Sequence, residues 1–384
     1  MTIEMNKTVF SKYLLGISIL CLIIALFVAS QGSVPDAGPF VIAFLLLLAI
    51  SFRGFPLLRG LTFTTTILSV VATSLYYPQY FKEYNGFEFA TLITPLIQVI
   101  MFGMGCSMGL KDFVALAKSP KSVLVGVAGQ YTIMPLTGLG LANFTDFPSE
   151  ISAGIILLGC APTSVTASVM CYLAKANVVL AITITAITTL LAPFLIPVLM
   201  KVLAGGFIEI NVMEMMWGII KMVFIPIGAG LIFNKFLHGK AKWLDDSMPL
   251  VSMIGVALIV AIIMAAGRDS ILNIGIELIL VVLVMILSGF FFGYWTARLF
   301  KLSEDDCRTI AITTGMQNAG LVSGIAKVMG KIATVGLATA VCGPIMGFSS
   351  SILASYWNSH PPVTEALNAD PNAQTGYTSI ANSE

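Results

Sequence analysis

Three polar runs interrupt otherwise apolar stretches of this chain, and each contains residues that break or kink helices. They are residues 129–135 (GQYTIMP), 159–168 (GCAPTSVTAS) and 313–320 (TTGMQNAG). Proline and glycine at such places release backbone carbonyl and N–H groups, and the hydroxyl and amide side chains add further oxygens. Such oxygens can hold a small cation, while the N-terminal end of a half-helix attracts an anion. For any one run the alternative is a kinked helix whose hydroxyls bond to its own backbone.

Other chemistry finds little support in the titratable residues. The six cysteines form no CxxC pair, and the two histidines, His238 and His360, lie in a predicted loop and the tail. The nineteen carboxylates can all be placed in loops, termini or outer turns of helices, so no buried carboxylate is expected. We therefore expect neither an enzyme, nor a metal site, nor an organic cofactor.

The composition places these runs in a membrane. Of 384 residues, 57% are hydrophobic and only 10% are charged, with a net charge of +1. A soluble domain carries roughly 25% charged residues, so a soluble enzyme and a disordered scaffold are excluded. The balanced charge also excludes a nucleic-acid-binding domain. Since a membrane helix needs about 20 apolar residues, the chain is predicted to be an all-α polytopic membrane protein.

Apolar runs between charged or Pro/Gly-rich breaks predict twelve spans. With the N-terminus inside, fourteen Lys and Arg residues fall in cytoplasmic segments and five outside, which predicts a multi-pass protein of the cytoplasmic membrane with both termini in the cytoplasm. The second span is short and could instead be re-entrant, and residues 1–30 could instead be a signal peptide. The predicted spans are 13–30, 39–52, 61–77, 91–109, 122–142, 151–174, 177–200, 212–234, 248–266, 273–297, 308–328 and 333–357.

The positions of the polar runs predict an internal symmetry. With residues 1–60 set aside as an N-terminal extension of about two helices, ten spans divide into residues 61–200 and residues 201–357. Halves with an odd number of spans insert in opposite orientations, which is typical of an inverted repeat. The sixth and eleventh spans are then the fourth of each half, and these two broken helices are expected to cross near the midplane. Residues 358–384 are predicted to be a disordered cytoplasmic tail.

These same residues resemble the bile acid:sodium symporter (BASS) superfamily, especially its bacterial members. The resemblance covers roughly residues 60–357, with several motifs in the same order and at the same spacing. They are residues 101–105 (MFGMG), 110–113 (LKDF), 130–135 (QYTIMP), 159–162 (GCAP), 169–174 (VMCYLA), 191–193 (LAP), 315–321 (GMQNAGL) and 355–357 (SYW).

The resemblance implies a ten-helix unit of two inverted five-helix repeats. Spans five to seven and ten to twelve would form a core, and spans three, four, eight and nine a panel. Family members carry organic anions, such as bile salts and small carboxylates, usually with two sodium ions, by moving the core against the panel.

The departures from the family pattern concern the sodium sites. The family has Ser-Asn where this chain has Ala167 and Ser168, a Glu shared by both sodium sites where it has Thr313, and a Ser where it has Ala181. The last span has Met346-Gly347 instead of the family's His-Asn pair. Without the shared carboxylate, two sodium ions would leave uncompensated charge in a medium of low dielectric. We therefore expect sodium coupling to be weakened or lost, with Na⁺ as the candidate coupling ion.

These observations predict a secondary active transporter of a small organic anion that works by alternating access in the lipid bilayer. The alternatives are a sodium-independent facilitator or exporter on the same fold, or a non-transporting membrane receptor or sensor. The candidate substrate-binding residues are Thr163, Ser164, Thr166, Ser168, Gln317 and Asn318. The residual ion-binding candidates are Gln130, Thr185, Thr313 and Gln317.

Overall fold

The computed structural model describes residues 2–55, 58, 60–107, 119–237 and 242–360. The described residues are almost entirely helical, and a small antiparallel hairpin pairs Glu83–Tyr84 with Phe87–Glu88. The helices are α1 (Thr2–Ser30), α2 (Gly38–Phe52), α3 (Leu61–Tyr76), α4 (Gln79–Lys82), α5 (Ile93–Ser107), α6 (Pro120–Phe144), α7 (Ser149–Gly159), α8 (Ala167–Leu173), α9 (Val178–Leu203), α10 (Val212–Ile219), α11 (Ile225–Leu237), α12 (Lys242–Ala266), α13 (Arg268–Leu299), α14 (Glu304–Gly315), α15 (Ala319–Val328) and α16 (Leu337–Ser359). One turn of π-helix, Ile220–Phe224, joins α10 to α11.

The prediction of an all-α polytopic membrane protein is confirmed. Within the described residues, eight helical segments are long and apolar enough to cross a membrane. Four shorter apolar helices, Leu61–Tyr76, Ser149–Gly159, Leu250–Ala266 and Ala319–Val328, match the remaining predicted spans. The sixth and eleventh spans are the broken ones, as the Pro and Gly residues of the two polar runs predict. The predicted tail beyond His360 and the LKDF motif lie outside the described residues.

Helices α1 and α2 form a hairpin that packs against α3. The Ser51 hydroxyl donates to the Ser11 carbonyl at 2.9 Å, so a polar contact joins α1 to α2 within an apolar pair. Gly38 at the start of α2 lets the helix approach the ring of Tyr76, because a Cβ there would lie 2.6 Å from the ring's Cδ1 atom. The outer face of α1 exposes large apolar side chains, as a lipid-facing helix does.

The remaining helices pack in two groups. Helix α12 contacts α3 and α5, and α5 contacts α11. We call these four helices the panel, together with α10, which the π-helical turn joins to α11. Helices α6, α7, α9, α13, α14 and α16 form the second group, which we call the core, together with the half-helices α8 and α15. This is the grouping of spans that the family resemblance implies. The inverted repeat itself, with its division at residue 200, stays a prediction.

Two glycines let the panel helices α5 and α11 approach at backbone distance. A Cβ on Gly105 would collide with the carbonyl oxygen of Ile227, and one on Gly230 would collide with the carbonyl oxygen of Phe102. Small residues at such crossings allow the van der Waals packing on which helix association in lipid depends.

Replacing Gly105 by Ala tests this packing. We expect Gly105→Ala to lower the stability of the protein by about 1–3 kcal/mol, because a backbone carbonyl cannot move aside as a flexible side chain can. Gly228→Ala on α11 is the matched control, since nothing lies within 4 Å of a Cβ there. Thermal denaturation in detergent measures both variants, and equal midpoints would contradict the packing described.

Candidate functional site

The breaks in the two discontinuous helices lie side by side in the core. Thr163, between α7 and α8, forms an isolated antiparallel bridge with Gln317, between α14 and α15. Beside it the Ser164 N–H donates to the Met316 carbonyl at 2.8 Å. Broken backbone inside a membrane needs partners within the protein, and here each break supplies partners to the other. The predicted crossing of the sixth and eleventh spans is therefore present.

Asn318 joins the two breaks and also begins α15. Its backbone N–H donates to the Pro162 carbonyl at 2.9 Å. Its side-chain Oδ1 accepts from the Leu321 N–H at 3.1 Å, which is the usual cap of a helix N-terminus. The start of α15 thus already has an internal acceptor, while the two N–H groups of the Asn318 amide remain available as donors.

Thr163 ties the crossing to two further helices and is fully buried. Its hydroxyl donates to the carbonyl of Thr313 on α14 at 3.0 Å. Its backbone N–H lies 3.3 Å from the hydroxyl oxygen of Thr188 on α9. Thr188 was not among the predicted site residues, although its position on α9 three turns after the Asn177 cap places it beside the break.

Two buried glutamines form a chain of side-chain hydrogen bonds across the crossing. Gln130 Nε2 on α6 donates to the Ala161 carbonyl at 2.7 Å and to Gln317 Oε1 at 2.9 Å. Gln317 Nε2 in turn donates to the Thr314 carbonyl at 2.5 Å. The Oε1 atom of Gln130 is buried and has no hydrogen-bond partner. The two ion candidates with amide side chains are therefore in direct contact with each other.

The other two ion candidates use their hydroxyls on their own helices. Thr313 Oγ1 donates to the Thr309 carbonyl at 2.9 Å, and Thr185 Oγ1 donates to the Ala181 carbonyl at 2.8 Å. Both side chains are buried. A hydroxyl whose proton is bound this way can still offer an oxygen lone pair, but it carries no charge that could offset a cation.

The remaining substrate candidates lie at the start of α8 and are more accessible. The hydroxyls of Ser164 and Thr166 are 2.9 Å apart, and Thr166 is exposed. The Ser168 hydroxyl donates to the Val165 carbonyl at 2.9 Å. Thus the structure brings five of the six candidates around the breaks, and it places Ser168 at the second residue of α8.

The two half-helices that follow the breaks differ in exposure. On α8, Val169 and Tyr172 are exposed, as is Val165 just before it. On α15, by contrast, the apolar side chains at 321, 322 and 325 are fully buried. Helix α15 packs against α5 and α10 of the panel. Side chains at the start of α8 are therefore exposed, and those of α15 are covered by other helices. We call these the open side and the closed side of the crossing.

Close contacts between core and panel cover the α15 side. A Cβ on Gly324 would lie 2.6 Å from Ile97 Cδ1 and 2.8 Å from Met222 Sδ, and one on Gly218 would lie 2.9 Å from Val328 Cγ1. At the far end of α15 a cavity of about 140 Å³ separates core and panel. It is away from the breaks and is lined by Glu209, Ile210, Asn211, Glu214, Met215, Val328, Met329 and Lys331.

A surface ion pair stands beside this closed end. Glu150, at the start of α7, accepts from the ammonium of Lys331 and from the hydroxyl of Thr334. The hydrogen bonds from Lys331 and Thr334 lower the pKa of the Glu150 carboxyl. Both charged side chains are partly exposed, so the pair contributes little to stability.

A buried carboxylate stands at the entrance of α14, contrary to the expectation that none is present. Asp306 is 9% exposed, and its two oxygens accept from the Ser122 hydroxyl at 2.6 Å and from Asn177 Nδ2 at 2.9 Å. Asn177 also caps α9 and its backbone N–H donates to the Thr309 hydroxyl. Asp306 therefore fixes the starts of α6, α9 and α14 relative to one another. The Ser303-x-x-Asp306 cap identifies the helix start but not these long-range partners.

A second charged cluster attaches the end of α16 to the start of α14. Arg308 pairs with Glu304 at 2.9 Å and donates to the carbonyls of Trp357 and His360 at 3.2 and 2.8 Å. Burial raises the pKa of Glu304, but hydrogen bonds from Arg308 and Tyr294 outweigh it and lower the pKa overall. This cluster is structural, because its donors and acceptors satisfy one another.

Comparison with known proteins finds one family of membrane transporters. A sequence model of the sodium bile acid symporter family matches residues 94–274. The uncharacterized sodium-dependent transporter YocS of Bacillus subtilis is 34% identical over 300 residues, which is 78% of this chain and 91% of that protein. The probable sodium/metabolite cotransporter BASS1 of rice chloroplasts is 30% identical over 79% of this chain and 74% of its own length. The probable sodium/metabolite cotransporter BASS3 of Arabidopsis chloroplasts is 29% identical over 83% and 73%.

Changing the buried carboxylate to an amide tests the role of Asp306. We expect Asp306→Asn to lower stability by about 1 kcal/mol, because the Ser122 hydroxyl and the Asn177 amide lose a charged partner, whose hydrogen bonds are stronger than those of a neutral amide. Asp269→Asn is the control, since that carboxylate is 88% exposed and 3.6 Å from Arg268. Thermal denaturation in detergent compares the two variants. If Asp306→Asn is as stable as Asp269→Asn, the three-helix connection is not significant.

Proposed function

The chain belongs to the sodium bile acid symporter family and is a multi-pass membrane transporter, and from that premise we propose that it carries a small organic anion by alternating access with sodium coupling weakened or lost. The observation that carries this proposal is the pair of broken helices whose crossing is open on one side and covered by the panel on the other. A site near the midplane that is reached from one side at a time is what alternating access requires.

The proposed substrate site lies on the open side of the crossing. Ser164 and Thr166 present hydroxyls there, and Ser168 follows on α8. The free N–H groups of the Asn318 amide add donors from the other broken helix. Hydroxyl and amide donors suit a carboxylate, and the buried Thr163 and Gln317 would hold the two breaks in place behind it. By the charge count along the sequence, we propose that the open side faces the cytoplasm.

The proposed loss of coupling rests on the charge at the ion candidates. The relatives are named as sodium-dependent or sodium/metabolite transporters, so sodium is the coupling ion to test. The four candidates in this chain are two amides and two hydroxyls, and Thr313 occupies the position of the family's shared carboxylate. An ion without a carboxylate in a medium of low dielectric loses several kcal/mol of compensating attraction.

We also propose that the transporter consists of two inverted five-helix repeats, residues 61–200 and residues 201–357.

Two alternatives to this proposal differ in whether the anion crosses the membrane and in what drives it. A sodium-independent facilitator or exporter is favoured by the hydroxyls of Thr313 and Thr185, which are satisfied without an ion. A receptor or sensor on the same fold would bind the anion and move none of it. A flux experiment separates the receptor from both kinds of transporter, and its sodium dependence shows whether coupling is kept.

Uptake into proteoliposomes tests the proposal. We expect a labelled bile salt or a small carboxylate such as pantoate to enter at the same initial rate when external NaCl is replaced by choline chloride, because no carboxylate holds sodium at the crossing. The control is protein-free liposomes in each salt. A sigmoidal dependence of the rate on sodium concentration would contradict the loss of coupling, and saturable binding with no flux would identify a receptor.

Restoring a carboxylate at position 313 should restore a cation requirement. We expect Thr313→Glu to transport faster in sodium than in choline, because the new charge lies in the buried core of the crossing and needs a cation to offset it. Thr313→Gln is the matched control, since it has nearly the same size and no charge. If the two variants respond to sodium equally, position 313 does not determine ion coupling.

A further inference from the structure

The segment that joins α3 to α5 is rich in aromatic residues. Six of the thirteen residues at 77–89 are aromatic, against 10% of the whole chain. They are Tyr77, Tyr80, Phe81, Tyr84, Phe87 and Phe89. Aromatic residues, Tyr and Trp above all, are enriched where a membrane protein passes from lipid to water. The composition of this segment is therefore typical of the membrane–water interface.

The two flanking helices place the segment close to the edge of the bilayer. At about 1.5 Å per residue, α3 with 16 residues and α5 with 15 are about 22–24 Å long. The hydrocarbon of a bilayer is about 30 Å thick. Because helices this short can barely cross it, the segment between Tyr76 and Ile93 lies at the membrane surface. The charge count along the sequence predicts that this is the outer surface.

Within this segment the chain reverses direction in a β-hairpin, residues 83–88. Asn85 and Gly86 form the two-residue turn, and both have positive φ angles, 50° and 81°. Asn-Gly is a preferred sequence for such a turn, because these residues adopt positive φ at little cost. The turn therefore fixes the register of the two short strands.

This register separates aromatic from acidic side chains. Tyr84 lies opposite Phe87, and Glu83 lies opposite Glu88. Residues directly opposite each other share a face of the hairpin, and neighbours along a strand point to opposite faces. One face therefore presents two aromatic rings, and the other presents two carboxylates. We call them the aromatic face (Tyr84, Phe87) and the acidic face (Glu83, Glu88).

The two faces favour different surroundings. Tyr84 is 68% exposed and Phe87 is 48% exposed, so the aromatic face offers apolar surface whose removal from water is favourable. Glu83 and Glu88 are exposed as well. Like charges opposite each other on a strand pair repel, and the high dielectric constant of water weakens that repulsion. The aromatic face thus favours a less polar medium, while the acidic face favours water.

Contacts on either side of the hairpin join it to the panel. The rings of Phe87 and Phe89 meet edge to face, with centroids 6.0 Å apart. Phe89 begins one turn of 3₁₀-helix, Phe89–Leu92, which contacts α12. Helix α4, just before the hairpin, also contacts α12. The hairpin therefore lies at the edge of the panel.

We propose that this hairpin anchors the panel in the membrane–water interface, with the aromatic face inserted among the lipid headgroups and the acidic face in water. Tyr84 suits this place, because its ring can lie against acyl chains while its hydroxyl stays hydrated. The partner is the lipid of the leaflet at this end of the panel. The inference needs only that the chain spans a membrane, so it does not depend on the solute or on the coupling ion.

Spin labels on the two faces of the hairpin test the anchor. The single variants Tyr84→Cys, Phe87→Cys, Glu83→Cys and Glu88→Cys each carry a nitroxide label in the full chain, reconstituted in phosphatidylcholine vesicles. Collisions with oxygen, which concentrates in lipid, and with a water-soluble nickel complex both relax the label. We expect the ratio of oxygen to nickel collision rates to be several-fold higher at positions 84 and 87 than at 83 and 88.

The two glutamate positions are the matched controls. Each is one residue away from an aromatic position and differs from it in the face of the hairpin on which it lies. All four positions are exposed, so the label can be accommodated without repacking the protein. The six native cysteines are buried or half-buried, and the signal of wild type treated with the same label is subtracted.

Three outcomes would overturn the anchor. Equal ratios at all four positions would mean that the two faces share one medium, and a higher ratio at 83 and 88 would mean that the hairpin faces the other way. Low collision rates with both reagents at 84 and 87 would mean that protein, such as a second copy of the chain, covers the aromatic face. Since these measurements need no transport, they are independent of the flux experiment.

Discussion

Every backbone polar group inside a membrane must find its partner within the protein, and the architecture of this chain follows from that requirement. Helices α7 and α14 stop in the middle of the core, so each leaves carbonyl groups that its own helix cannot satisfy. Donors to the carbonyls around the breaks come from the other broken helix and from Gln130 on α6. Neither break could exist alone, because Thr163 and Gln317 bridge one to the other.

Two charged side chains also join the ends of the core helices. Asp306 anchors the starts of three core helices, and Arg308 fastens the end of α16 beside them. These bonds lie within the group of helices that contains the breaks. The panel meets it through contacts such as Gly324 with Ile97 and Met222. The core–panel contact at Gly324 is thus made with side chains, whereas backbone hydrogen bonds join the two breaks within the core.

The sequence predicts the class, the spans and the two breaks because these depend on local signals. Apolar length and the Pro, Gly and amide residues of the polar runs are visible without any tertiary contact. Asp306 was missed because its first-turn position resembles an ordinary helix cap, while its partners at positions 122 and 177 are remote in sequence. The accessibility of Thr166 and the covering of α15 depend on how core and panel meet, which no local pattern specifies. The inverted repeat and the roles of the site residues stay predictions.

Under the proposed function, the lack of a carboxylate at the crossing affects the direction in which the anion is transported. A carrier that moves a monoanion with two sodium ions transfers net positive charge inward, so a membrane potential negative inside assists uptake. The same carrier without a cation transfers the charge of the anion alone. A potential of 100 mV then opposes uptake of a monoanion by about 2.3 kcal/mol and assists its export by the same amount. Under the proposed function, Thr313 in place of the family's Glu would therefore change more than the affinity for sodium. Loss of coupling would reverse the sign of the electrical work, and it would favour an exporter over an importer in an energised membrane.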